Sequence, residues 1–140
     1  MARALGVDLG ERRIGLALSD PAGTLASPYS VLTRSGSHAA DHRAIVAVAR
    51  EEEADCIVVG LPLSMSGREG PAAKAALAEG EELAAVAGDD LAVETYDERL
   101  TTVTAQRSLV EAGMRRDARR RVVDKVAAAV MLQGWLERRA

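Results

Sequence analysis

The chain has 140 residues, a formal net charge of −3 and 48% hydrophobic content, enough for one domain with a buried core, expected to span residues 1–140. Aromatic residues make up 2%, which argues against a base-stacking nucleic-acid binder. The acidic balance argues against a generally basic binder, so an anion-binding face must be local. A lone cysteine, Cys56, excludes an internal disulfide and suits a cytoplasmic protein; no stretch reads as a secretion signal or membrane span.

In chain order, Ala4, Leu5 and Val7 lead into Asp8, and Ile14, Leu16 and Leu18 alternate with small residues beyond a polar turn. Period-two patterning on both sides of that turn predicts a β-hairpin. Asp20-Pro21-Ala22-Gly23 predicts a second turn, and Leu25–Leu32 a third strand, with Pro28 pointing to a sheet edge. Thr33–His38 reads as a polar loop, the segment most open to motion. Asp41–Glu53 carries Ile45, Val46, Val48 and Ala49 at helical spacing. Asp55–Leu61 is a continuous apolar run, as expected of a strand covered on both faces. A polar loop, Pro62–Gly70, precedes a helix with Pro71 in its first turn, running to about Ala87; Gly80 weakens it. Ala92–Tyr96 predicts a fifth strand. Thr101 or Thr102 can cap a helix to Glu111 that stops at Gly113, and a final helix is expected over Ala118–Arg138.

Strands joined directly are expected to be antiparallel and strands joined through helices parallel, giving a mixed, helix-covered α/β sheet. The ligand crevice of such a sheet lies beyond the carboxyl ends of its central strands. Asp8 ends one strand and Asp97 and Glu98 end another. An ionised carboxylate ending a buried strand needs a cation or a donor, and Gly10 leaves room for one. Asp124, Ala128, Met131 and Trp135 form one stripe of the last helix, so Asp124 opens an inward-facing apolar line. The alternatives are a turn-capping Asp8 and a first-turn Asp124 favoured by the helix dipole.

If three such carboxylates converge, their repulsion requires cations, and an all-oxygen donor set suits Mg²⁺ or Mn²⁺ rather than zinc. Two such ions about 3.5–4 Å apart could activate water and stabilise the leaving oxygen of a phosphodiester. Arg115, Arg116, Arg119, Arg120 and Arg121 cluster just before Asp124 as candidate phosphate contacts. Arg99 could steady a scissile phosphate, with Arg12 and Arg13 as weaker candidates. His38 and His42 read as solvated surface residues, Cys56 as a buried small hydrophobe, and Ser64 and Ser66 have no nearby His to form a nucleophilic triad.

Taken together, LGVDLGERRIGLALSD, IVVGLPLSMSGREGP, DERLTTVTAQRSLVEAG and VVDKVAAAVMLQGWL, in this order and spacing, resemble the YqgF (RuvX) family of proposed Holliday-junction resolvases and pre-16S rRNA nucleases. The resemblance covers nearly the whole chain. It implies an RNase H-like fold with sheet order 3-2-1-4-5 and the second strand antiparallel. It also implies a metal-dependent nuclease site at Asp8, Glu98 and Asp124, with Asp97 as the fallback for the middle acid. The implied role is trimming the 5′ end of pre-16S rRNA in the cytoplasm. The family's middle loop often carries Asn and Asp where Ser64 and Ser66 stand here.

Three other readings compete. A junction resolvase would cut branched DNA as a symmetric dimer. A silent module would bind nucleic acid without turnover. An actin-like ATPase would need two domains of this kind, whereas this length supplies one.

Overall fold

The computed structural model describes residues 3–62, 70–97 and 116–139, with 116–123 described as helical backbone alone. Within these, the order is β1 (Arg3–Leu9), β2 (Arg13–Ser19), β3 (Ala26–Thr33), α1 (His38–Glu51), β4 (Ala54–Leu61), α2 (Pro71–Ala87), β5 (Ala92–Asp97) and α3 (Arg116–Arg139). The five strands form one sheet in the order β3-β2-β1-β4-β5. β2 runs antiparallel to β1 and β3, while β4 is parallel to β1 and β5. This is the expected topology, with Pro28 on the edge strand, where its missing N–H costs no ladder bond on the outer side.

The alternation along each strand divides the apolar residues between two layers. Leu5, Val7, Ile14, Leu16, Ile57 and Val59 face α1 and α2, meeting Ile45, Ala49 and Leu83. Ala4, Ala17, Val58 and Tyr96 face α3, meeting Ala128, Met131, Leu132 and Trp135. Each large side chain so buried contributes about 1.5–3 kcal/mol. Small residues on the sheet side let α3 come close. A Cβ at Gly6 would sit 2.9 Å from Leu132 Cβ, and one at Gly15 would overlap the Asp124 carbonyl. Gln133 then fixes α3 along the sheet edge. Its Oε1 accepts from Ala26 N–H at 2.8 Å and its Nε2 donates to Thr24 O at 3.0 Å.

Several boundaries differ from the sequence expectation. α1 starts at His38 rather than Asp41, because Ser37 caps it by accepting from Ala40 N–H at 3.2 Å. The Thr33–His38 segment is pinned: Arg34 N–H donates to Arg12 O, and Ser35 N–H to Asp41 Oδ1, both at 3.0 Å. At the β2–β3 turn, Asp20 accepts from Thr24 Oγ1 at 2.6 Å and from the N–H groups of Thr24 and Leu25. These bonds, the Thr24 hydroxyl first, hold its carboxyl down at about 2. The helix expected from Thr101 or Thr102 to Glu111 lies outside the described residues.

Candidate active site

The hairpin packs along α3, and toward its turn the contact falls at Gly15. Asp8 on β1 lies directly across from Gly15 on β2, and Gly15 is where the Asp124 backbone of α3 rests. Ala4 and Gly6 face α3, so strand alternation sets half-buried Asp8 on the same side. The Asp124 side chain, 20% exposed, is held by Arg13: Nε donates to Oδ2 at 2.6 Å. Such a short charge-assisted bond fixes the carboxylate's direction as well as its charge. Arg13 thus has a larger part than its reading as a weak phosphate contact. The signal was its parity: Arg13 shares its side of β2 with Gly15 and Ala17, which face α3.

Of the other expected residues, Glu98, Arg99 and Arg115 lie outside the described residues, as do Ser64 and Ser66. Arg116, Arg119, Arg120 and Arg121 fall on the first turns of α3, where the backbone alone is described. Asp97 is half-buried at the end of β5, paired with Leu61. Val93 packs in the α1/α2 layer and Tyr96 in the α3 layer. Alternation therefore assigns Asp97 to the α1/α2 face, away from Asp8. Cys56 is half-buried on β4, and burial pushes its thiol up to about 11, so it is less enclosed than expected and not activated.

On the opposite face lies a cluster that sequence reading missed. His42 is 1% exposed, not solvated, and its Nε2 sits 2.8 Å from Glu79 Oε2. An ionised carboxylate only accepts, so Nε2 carries the hydrogen. Arg34 donates to both Glu79 oxygens at 2.8 Å. Burial alone would push the Glu79 carboxyl up. The bonds from Arg34 and His42 outweigh it and hold it below its ordinary range. His38, exposed at the start of α1, brings its ring to 5.5 Å from that of His42.

Among the described residues, His38, His42 and Glu79 are the one group of this kind whose ligand atoms gather closely enough for a metal, all within 4.8 Å. Yet both Glu79 oxygens already neutralise a guanidinium, and an ion there would face that positive charge at close range. The arrangement is that of a closed ion-pair network rather than an open donor set.

Comparison with known proteins agrees with this architecture. The profile of the family described as RuvX, Holliday junction resolvase, matches residues 2–138. A relative from Nocardia farcinica is 43% identical over 143 residues, covering 99% of this chain and 79% of its own length. Another, from Myxococcus xanthus, is 46% identical over 135 residues, covering 96% and 87%. Both carry the provisional name pre-16S rRNA nuclease. T. thermophilus RuvC, solved in complex with a Holliday junction substrate, aligns with a TM-score of 0.61 at 16% identity over 99% of this chain and 96% of that one. That likeness is one of fold: a RuvC-type, RNase H-like domain.

Proposed function

Because this chain belongs to the RuvX family, we propose that it is a metal-dependent nuclease that hydrolyses phosphodiester bonds of nucleic acid, with the 5′ end of pre-16S rRNA as its target in the cytoplasm. The nuclease reading follows the relatives, and the rRNA substrate follows the name they carry. The observation that carries the assignment of residues is the junction at Gly15, where the strand bearing Asp8 and the helix bearing Asp124 come together on one face.

Asp8 and Asp124 offer hard oxygen donors, a type that suits Mg²⁺ or Mn²⁺, and a metal held there would compete with Arg13 for Asp124. Glu98 is the proposed third acid. Strand alternation sets Asp97, the fallback, on the face away from Asp8. Bound there, the metal would supply an activated water and charge stabilisation of the leaving oxygen, as one ion or a pair. The chain's own task is positioning. The packed stripe Ala128, Met131 and Trp135, at most 8% exposed, fixes α3 and hence Asp124. Arg116, Arg119, Arg120 and Arg121, with Arg115 just before the helix, are proposed to grip the phosphate backbone, and Arg99 to steady the scissile phosphate.

The test is Mn²⁺-dependent cleavage of single-stranded RNA, duplex RNA, precursor rRNA and a four-way DNA junction, by the parent and by Asp8→Asn. Cleavage of precursor rRNA that vanishes in Asp8→Asn supports the proposal. Preference for the junction would move the substrate to branched DNA, in line with the family's description. Binding without cleavage by the parent would leave a silent module, and undiminished cleavage by Asp8→Asn would refute the site.

A further inference from the structure

The turn between Asp8 and Arg13 is anchored from behind by one residue. Arg34, immediately after β3, donates its N–H to Arg12 O at 3.0 Å and its Nε to Gly10 O at 2.7 Å. Its two terminal nitrogens each donate to Glu79 on α2 at 2.8 Å. Glu79 in turn accepts from His42 on α1. The side chains of Arg34, Glu79 and His42 are 14%, 8% and 1% exposed. The turn itself is closed by Gly10 N–H donating to Arg13 O at 3.0 Å. A chain of bonds therefore runs from two helices, through one guanidinium, to the Gly10 side of the hairpin turn, while the backbone N–H of the same residue holds the Arg12 side.

An exposed ion pair would do little here, and a buried one is no better for stability than apolar residues of the same volume. What apolar residues cannot do is hold the Gly10 carbonyl. Arg does so because its rigid fork presents Nε in one direction and the paired terminal nitrogens in another. Gly10 lies two residues after Asp8, and Arg12 immediately precedes the residue that holds Asp124. A turn free to rock would move both ends of the proposed site.

We infer that Arg34 is a positioning residue for the nuclease site, with Glu79 and His42 holding its guanidinium so that the hairpin turn keeps Asp8 and Arg13 aligned with Asp124. This rests on the assignment of Asp8 and Asp124 given above. Arg34→Lys keeps the charge and a bond to Glu79 but cannot reach Glu79 and Gly10 O together. Glu79→Gln is the milder variant: it keeps the volume and one acceptor but removes the charge that orients the guanidinium.

The experiment compares parent, Arg34→Lys and Glu79→Gln in kcat and KM on the best-cleaved substrate of the panel, with hydrogen exchange at the Gly10 amide as a readout independent of activity. The expected result is faster Gly10 exchange and a kcat lower by about tenfold to a hundredfold, the scale of an ångström-level misplacement, at a KM within about twofold. Glu79→Gln should fall between parent and Arg34→Lys, and it decides alone if Arg34→Lys does not fold. A lowered Tm with unchanged kcat and unchanged Gly10 exchange would overturn the inference and leave the network a stability element. If the parent's cleavage proves indifferent to Asp8→Asn, the site assignment fails separately, and unchanged exchange at Gly10 would still refute the clamp.

Discussion

Gly15→Ala probes the point on which the proposed site turns. The added Cβ would lie 2.5 Å from the Asp124 carbonyl carbon and 3.2 Å from Lys125 N. The first distance is 0.9 Å short of the 3.4 Å at which ordinary contact begins. The strand cannot yield easily, because β2 is paired on one side with β1 and on the other with β3. Helix α3 must therefore lift by about 1 Å, and Asp124 moves with it. Overpacking of this kind costs about 1–3 kcal/mol, and displacement of a reacting group by about 1 Å can cost on the order of a hundredfold in rate. The assay is turnover at saturating Mn²⁺, well below the variant's Tm, with circular dichroism confirming the fold. Turnover within about twofold of the parent would refute the argument that this contact sets the position of Asp124.

Gly80 gives the opposite expectation: nothing lies within 4 Å of a Cβ added there. Gly80→Ala in mid-helix should raise stability by about 0.5–1 kcal/mol, seen as a higher Tm. Replacing Arg119, Arg120 and Arg121 together with Gln should weaken nucleic-acid binding and flatten its dependence on salt, by roughly one unit of log–log slope per lost phosphate contact; an unchanged slope would make the cluster an ordinary solvated face. Asp20 and Glu79 both sit below their ordinary values of 3.8 and 4.5. Each contributes stability that is complete above those values and lost as pH falls through the lower folded values. Tm should therefore drop from about pH 4.5 toward 2, and Glu79→Gln should remove part of that dependence, as a pH series of melting curves would show.

The elements and the sense of their connections were legible in the sequence because each carries a local signature that the tertiary structure does not override, whereas the strand order came from the family resemblance. The alternation around Gly10, Glu11 and Arg12 makes a hairpin whatever it packs against, and the apolar run ending at Leu61 needs cover on both faces. The stripe from Asp124 to Trp135 was legible for the same reason. The contact partners were not. Nothing in local pattern says that Gly15, rather than Gly6 or Gly10, receives the Asp124 backbone, or that Arg13 turns toward α3. Both follow from the register Asp8↔Gly15, which the hairpin fixes, together with the seat of α3, which only the packed layer fixes.

His42 is the instructive miss, because its place next to a polar loop suggested a solvated residue while its helical phase said otherwise. His42, Ile45, Val46 and Ala49 occupy one face of α1, and all four are buried. Glu79 stands in the same way among Ala76, Leu83 and Ala87 on α2. A polar residue inside each of two apolar stripes implies that the two meet, since neither could be buried alone without large cost. A histidine and a carboxylate still leave negative charge to offset when the imidazole is neutral, so the pair calls for a cation. That cation comes from Arg34, 45 residues before Glu79 in sequence, in a segment whose polar composition reads as open loop. The physical demand was thus written in the helices, whereas its answer lay in Arg34, on a loop outside both.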